Sequence, residues 1–550
     1  MPGDHDPRTG LSRRRWLQSL AAAPLAGALA GCQRPLPFEG EIVGASLELG
    51  HRLRSPSSLS TPPADVTETD VLIVGGGLAG LSAAWRLLRR GVERILVLEL
   101  EPRPGGTATF GESSVTAYPW GAHYVPTPFP ENHDLIELLA EIGAIESVGP
   151  DGTPVFAEQH LCREPEERLY LGGEWHSGLY PEEGASVEDL RQLAAFRTEI
   201  ERWVALRDSA GRPAFAVPTS RSSEDPAVRD LDRISMAEWM DQRGFTSPRL
   251  RWLVDYSCRD DYGSALEQTS AWAGCFYFAA RVREAGQDSQ PLLTWPEGLG
   301  RIVRHVAGEL GDRLRTGVAV MRVNPGPEDS AGPISVTALS AADGTPLRFA
   351  ARSVILATPQ FLVPRLLAEL PEDRKAACAE FEYGSWLVAN IHLKDRPPSK
   401  GFEAAWDNVL YDSRSLGYVV ATHQSGRDHG PTVWTWYQPL CDERPHAARQ
   451  WLMELTWEAA AQRVLEDLAP AHPGLAGRIS RLDVMRWGHA MIRARPGFLT
   501  GAARELAARP WRGVHFAGTD LSGIPLFEEA QFHGVRAAEE VLASLGMPAR

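Results

Sequence analysis

The sequence predicts an α/β fold, and three features carry that prediction. Residues 71–80, VLIVGGGLAG, pass from an apolar, β-branched run into Gly75, Gly77 and Gly80 and on into a helical repeat. A second apolar run, Ile95 to Leu98, ends at the acid Glu99. The long remainder mixes segments of helical pattern, at 185–206, 231–256 and 266–284, with strands such as WLVANIHL at 386–393 and TVWTWYQPL at 432–440. The expected architecture is a Rossmann-like dinucleotide-binding domain with an interleaved α+β domain, a mixed sheet plus helices, roofing it.

Val71 to Val74 reads as a buried parallel strand. Leu81, Ala84 and Leu88 then recur at helical spacing until Gly91 stops them. Between the two, Gly75 permits the tight turn, Gly77 removes a side chain where phosphates would approach, and Gly80 lets helix and strand pack closely. The helix N-terminus at Leu78 and Ala79 offers free N–H groups and the positive end of its dipole to a pyrophosphate. Glu99 stands where a carboxylate can accept hydrogen bonds from ribose hydroxyls.

With 550 residues, 43% of them hydrophobic, the chain can bury large cores and is expected to form two interleaved domains. A net charge of −15 argues against a nucleic-acid partner, whose phosphates demand basic grooves, and fits either cationic substrates or ordinary solubility. Only three lysines occur, Lys375, Lys394 and Lys400, which restricts any lysine-dependent chemistry.

The N-terminus reads as an address. Ser12-Arg13-Arg14-Arg15-Trp16-Leu17 looks like a twin-arginine signal, and the apolar segment from Leu17 to Ala30 is too short to span a membrane stably. Leu29-Ala30-Gly31-Cys32 resembles a bacterial lipobox. Residues 1–32 are thus expected to direct export by the twin-arginine route, with a lipidated Cys32 tethering the mature protein to a membrane of the periplasm or cell envelope; cleavage without lipid is the plainer alternative. Residues 33–68, with SPSSLSTPP at 55–63, read as a spacer. Cys162, Cys258, Cys275, Cys378 and Cys441 show neither CxxC nor metal-ligand spacing, so buried thiols with at most one or two disulfides are expected, and no metal.

After Glu99 the chain continues LEPRPGGTATF, whose Gly105 and Gly106, with Thr107 following, resemble the second glycine pair of the FAD-dependent amine oxidase superfamily. Similar echoes are GAHYVPTP at 121–128, PEGLGRIV at 296–303, VILATP at 354–359, and VHFAGTD with AQFHGVRAAEEVL within 514–542. The resemblance implies an FAD-binding domain assembled from 69–135, 290–365 and 505–550, and a substrate domain from 136–289 and 366–504. It places Gly518 and Asp520 over the flavin and its pyrophosphate, with Ala537 and Ala538 in the helix that follows. Trp120, Gly121, Ala122 and His123 would lie against the flavin ring, and Val318 on the strand whose backbone reads adenine. No cysteine lies in the late closing segment, where the monoamine oxidases carry theirs, so the FAD is expected to be non-covalent. No second GxGxxG follows a later strand, so electrons should come directly from an organic substrate rather than from NAD(P)H.

The same comparison exposes departures. Relatives place a lysine near flavin N5 on the strand after VILATP, and here Val388 holds that position, with Asn390 the nearest polar substitute on the same face, or else a satisfied core amide. The second cage tyrosine of the monoamine oxidases has no counterpart in Ile524-Pro525-Leu526-Phe527-Glu528-Glu529, where Glu529 also replaces the usual glycine. In RWGHAMIRARPGF, at 486–498, Trp487 and His489 are candidates for the substrate cavity, His489 as a proton acceptor or a structural ring. Asp260 and Asp261, beside Tyr262, could attract an ammonium group, cap a helix or sit on a solvated surface; Trp434, Trp436 and Tyr437 could line the cavity or the core. The expected activity is hydride transfer from an organic substrate, an amine first, to flavin, with oxygen or a membrane quinone as acceptor. The alternatives are a protoporphyrinogen oxidase or phytoene desaturase-like dehydrogenase, and a flavin-binding partner protein without turnover.

Overall fold

The computed structural model describes residues 35–54, 65–150, 152–326 and 332–547; the twin-arginine and lipobox segment lies outside them. Among the described residues the chain builds two large sheets. The first has seven strands and is centred on Thr67–Val74, flanked in parallel by Ile95–Leu98 on one side and Pro346–Leu356 on the other. Pro346–Leu356 is long enough for two jobs: its first half pairs antiparallel with Ile334–Ser340, and its last residues pair parallel with Val514–Phe516. Three separated stretches of chain therefore meet on one strand.

Residues of Thr67–Val74 alternate between two cores, as side chains of period two must. Leu72 and Val74 enter one, Val71 and Ile73 the other. Helices Leu78–Arg89 and Phe527–Ser544 cover the second face. The unbroken apolar run is thus the mark of a parallel strand buried on both sides.

The second sheet has eight strands, in the order Ile42–Gly44, Ile479–Ile492, Tyr383–Leu393, Thr432–Pro439, Tyr418–Val420, Asp407–Leu410, Glu167–Leu171 and Glu174–Ser177. Leu387, Ala389, Ile391, Trp434 and Trp436 face a core closed by helices Pro445–Glu454 and Trp457–Leu468. Trp386, Val388, Val433 and Tyr437 face the opposite way.

The helical segments form with sharper boundaries than the periodicity implies. The first is Val187–Ala205, opened by a capping box between Ser186 and Asp189. The pattern over 231–256 resolves into Met236–Gln242 and Pro248–Tyr262, broken where Gly244 takes a left-handed φ of 72° and Pro248 starts the next helix. The third is only Ala271–Ala279.

Residues 35–54 are not a spacer. Ile42–Gly44 adds a parallel strand to the edge of Ile479–Ile492, and the carbonyls of Glu39 and Glu41 accept hydrogen bonds from the backbone N–H groups of Leu482 (3.0 Å) and Val484 (2.9 Å). Phe38 is buried edge-on against Trp457. The edge of a sheet presents unpaired backbone groups, and this short segment satisfies them. All five cysteines from Cys162 onward are free thiols, and no helix among the described residues is long and apolar enough to cross a membrane.

Candidate active site

The glycine loop forms as its spacing requires. Gly75 has φ of 105°, which a side chain resists, and its N–H donates to the carbonyl of Leu98 at 2.8 Å. A Cβ on Gly80 would run into the carbonyl of Gly75. Gly77 caps helix Leu78–Arg89 with no side-chain partner for the first turn's N–H groups. The second glycine pair lies against the first: Gly105 N–H donates to Gly76 O at 2.8 Å, and Gly77 and Gly105 form a parallel bridge.

A Cβ on Gly77 would meet only the Cα of Gly106, at 3.9 Å, so bare backbone borders this turn on both sides. Uncapped N–H groups at a helix start, framed by bare backbone, fit a pyrophosphate. Glu99 is buried, and its carboxylate already accepts from Gly76 N–H (2.6 Å) and Glu101 N–H (2.8 Å). Burial raises its pKa above the ordinary value. One oxygen serves each partner, which leaves lone pairs for a ribose. Val318 N–H donates to Glu99 O at 2.8 Å, joining its strand to the same corner.

Asp520 is buried and accepts from Tyr383 Oη (2.6 Å) and from Gln360 N–H (2.9 Å). Burial pushes its carboxyl up to about 6. Its side chain ties the Gly518 turn to the strand Tyr383–Leu393. The Glu529 carboxylate accepts from Thr219 N–H at 2.6 Å and is bonded to Ser522, so the acid in the usual glycine's place points into a buried polar knot.

Between the sheets lies a cavity of about 970 Å³, part of it open to solvent. The chain around the first sheet contributes Thr107, Gly121, Ala122, Leu299 and Leu526–Glu528 to its wall, and the chain around the second contributes Trp386, Val388, Leu416, Val419, Tyr437, Trp487 and Met491. Trp120 and Trp487 are joined by a hydrogen bond from the indole N–H of Trp487 to Trp120 O at 2.8 Å. His123 stacks on Tyr437 with centroids 4.9 Å apart, and its Nδ1 lies 3.0 Å from Gly121 O. Burial pushes its pKa down to about 4, so the ring is neutral at pH 7.

The polar end of the cavity was only partly legible. Asp260 and Asp261 both reach it, from the last turn of helix Pro248–Tyr262, rather than capping a helix or facing solvent. With them stand Asp407, Glu528, Tyr124, Tyr256 and Arg281, which no sequence motif singles out for the role. Asp261 accepts from Tyr124 Oη (3.2 Å) and pairs with Arg281 (3.4 Å); Asp407 accepts from Tyr256 Oη (3.2 Å). Burial, then the neighbouring Asp261, push the Asp260 carboxyl up to about 7, and burial raises Asp407, Asp261 and Glu528 as well. Burial works against the charge of Arg281, but Asp261, Tyr124, Glu528 and Tyr277 together outweigh it and hold the guanidinium protonated.

Two candidates lie elsewhere. Asn390 is fully buried, donates to Pro119 O at 3.0 Å and accepts from Thr435 Oγ1 at 2.7 Å; it fastens the sheet and does not line the cavity. His489 stacks on Phe361 with centroids 4.2 Å apart and also stays outside. The reason is a bulge: Trp386 faces Trp487 while Gly384 faces Met491, so strand alternation fails between them. Trp434 and Trp436 belong to the core behind the sheet, whereas Tyr437 lines the cavity.

The family model described as flavin containing amine oxidoreductase matches residues 78–542. Among curated relatives, oxidoreductase PigB of Serratia sp. (strain ATCC 39006) is 22% identical, over 89% of this chain and 77% of its own. The flavin-containing amine oxidase B of Sus scrofa is 24% identical over 87% of each. Among solved structures, putrescine oxidase bound to putrescine superposes with a TM-score of 0.64 at 19% identity, over 87% of this chain and all of its own. The glycine cradle, the second sheet roofing a cavity and the length of the family match lead to one assignment: this chain belongs to the flavin containing amine oxidoreductase family.

Proposed function

We propose that this protein is an FAD-dependent enzyme that oxidises a cationic amine and holds its FAD without a covalent bond. The observation that carries the substrate reading is the cavity wall, where Asp260, Asp261, Asp407 and Glu528 stand against one cation, Arg281. Such a wall attracts ammonium and repels carboxylated substrates such as a porphyrinogen. Residues 75–80, Glu99, Gly105–Thr107, Val318 and the Gly518 turn would hold the cofactor. When bound, the flavin accepts the hydride that leaves the carbon beside the amine nitrogen.

The chain's own contribution is binding, orientation and exclusion of water. Val388, Leu416, Val419 and Met491 make the roof apolar. The neutral His123 ring on Tyr437 and the anchored Trp487 indole form rigid walls that fix the substrate's orientation. Val388 in the lysine position and the lack of a cage tyrosine in the stretch from Ile524 to Glu529 favour a second reading, a desaturase-like dehydrogenase acting on a neutral substrate. Export by the twin-arginine route, a lipidated Cys32 and reoxidation by oxygen or a membrane quinone complete the proposal. Anaerobic mixing with an amine panel tests it: bleaching of the flavin's visible band supports amine oxidation, while bleaching by neutral polyenes alone supports the second reading.

A further inference from the structure

The chain ahead of the glycine loop does more than edge the second sheet. Just beyond Ile42–Gly44, which lies on Ile479–Ile492, it crosses to a corner of the first sheet. There the Ser46 N–H donates to Glu101 Oε1 (2.9 Å) and the Ser46 hydroxyl to Glu101 Oε2 (2.7 Å). The N–H of Glu101 in turn donates to the Glu99 carboxylate at 2.8 Å, and its carbonyl accepts from Gly317 N–H at 3.1 Å.

The short helix Leu47–His51 and the turn Arg52–Arg54 then run over the same corner. Leu49 and Leu53, with Leu100, pack on the buried side chains of Ala319, Met321 and Leu339. Ala319 and Met321 belong to the strand that Val318 opens, and Leu100 adjoins Glu99. The segment therefore rests on the immediate neighbours of the two groups assigned to adenine and ribose. Its far end is again close to the second sheet: burial, then the charges of Arg449, Arg54 and His51, push the pKa of His489 down to about 4. A segment needed only to satisfy a sheet edge would end at Gly44, whereas this one bridges both sheets.

Building on the FAD reading above, on which this rests, we propose that residues 46–54 are a strap over the adenosine end of the cofactor site, and that FAD enters and leaves only when the strap lifts. Its attachment suits a gate better than a fixed wall. No residue from Leu47 to Arg54 is fully buried, and among the described residues the strap is held chiefly by the Ser46–Glu101 pair and two half-buried leucines. Its local opening costs far less than unfolding the sheets beneath it. Release and uptake both follow the fraction of time the strap is lifted, so loosening it speeds the two alike and leaves the affinity nearly unchanged.

The test is FAD exchange in the full chain, followed by flavin fluorescence: release on dilution of the loaded protein, and uptake by the stripped protein. Ser46→Ala should speed both about threefold to tenfold, and Leu49→Ser combined with Leu53→Ser by more, with Kd kept within about threefold. Ser46→Ala removes a single half-buried hydroxyl and carries the test where the double variant does not fold. Unchanged rates in the folded variants overturn the strap and leave the FAD reading standing. Faster release with unchanged uptake also overturns the gate, since the segment then only shores up the bound state. A stripped wild-type protein that takes up no FAD overturns both.

Discussion

At the scale of single residues, the decisive group is Asp260. Burial and Asp261 push its carboxyl up to about 7. It also senses Glu167, Arg281 and Arg259 and, across the cavity, Asp407, so the apparent titration belongs to the cluster. Below that pH the carboxyl is protonated and cannot hold an ammonium; above it, it is charged. Affinity for a cationic amine should therefore fall as pH drops through about 7, approaching tenfold per unit, and Asp260→Asn should flatten that limb in stopped-flow titrations of Kd against pH. A limb that survives in Asp260→Asn assigns the titration to another group. Why this end of the site was hard to read from sequence is also a residue-scale matter. Asp260 and Asp261 announce themselves as a pair, but Asp407 and Arg281 come from other segments with no local pattern, and Tyr256, one turn before Asp260, meets Asp407 only when helix Pro248–Tyr262 docks on the sheet. His489, open in the sequence between a proton acceptor and a structural ring, stacks on Phe361 beside a bulge that composition does not show.

At the scale of elements, legibility followed the range of the interactions. The strand, turn and helix from Thr67 to Arg89 are local, so Gly75, Gly77 and Gly80 declare them, and Ile95–Leu98 forms as expected. The segment at 35–54 is the opposite case. Its proline and serine neighbours dilute three residues of strand, and its partner lies more than four hundred positions away in Ile479–Ile492. Removing residues 35–46 should strip the Glu39 and Glu41 carbonyls from that edge and expose Trp457, costing a few hydrogen bonds and one buried aromatic. The expected result is a Tm lower by roughly 5 °C by calorimetry, with concentration-dependent self-association in size-exclusion chromatography as the open edge finds another strand. An unchanged Tm would mean the segment rests on the sheet without supporting it.

At the scale of the whole molecule, the chain returns to the first sheet from three separated stretches, and the proposed cofactor site is where they converge. Gly75–Gly80 comes from the first stretch, Val318 from the second and the Gly518 turn from the third, with Asp520 bonded across to Tyr383 of the second sheet. A ligand that contacts all three binds only the assembled state, so it should stabilise the fold by mass action. Non-covalent FAD in 100-fold excess over its Kd would add about 2.7 kcal/mol, enough to raise the Tm of the stripped protein by several degrees. Acid precipitation of the loaded protein should leave the yellow colour in the supernatant, since no cysteine lies in the closing segment and the five free thiols line no part of the cavity. Colour retained in the pellet would instead require a covalent link to another side chain. A Tm indifferent to FAD would remove the cofactor from the corner formed by Gly77, Gly106 and Glu99, and with it the reason that the bare backbone there is left uncovered.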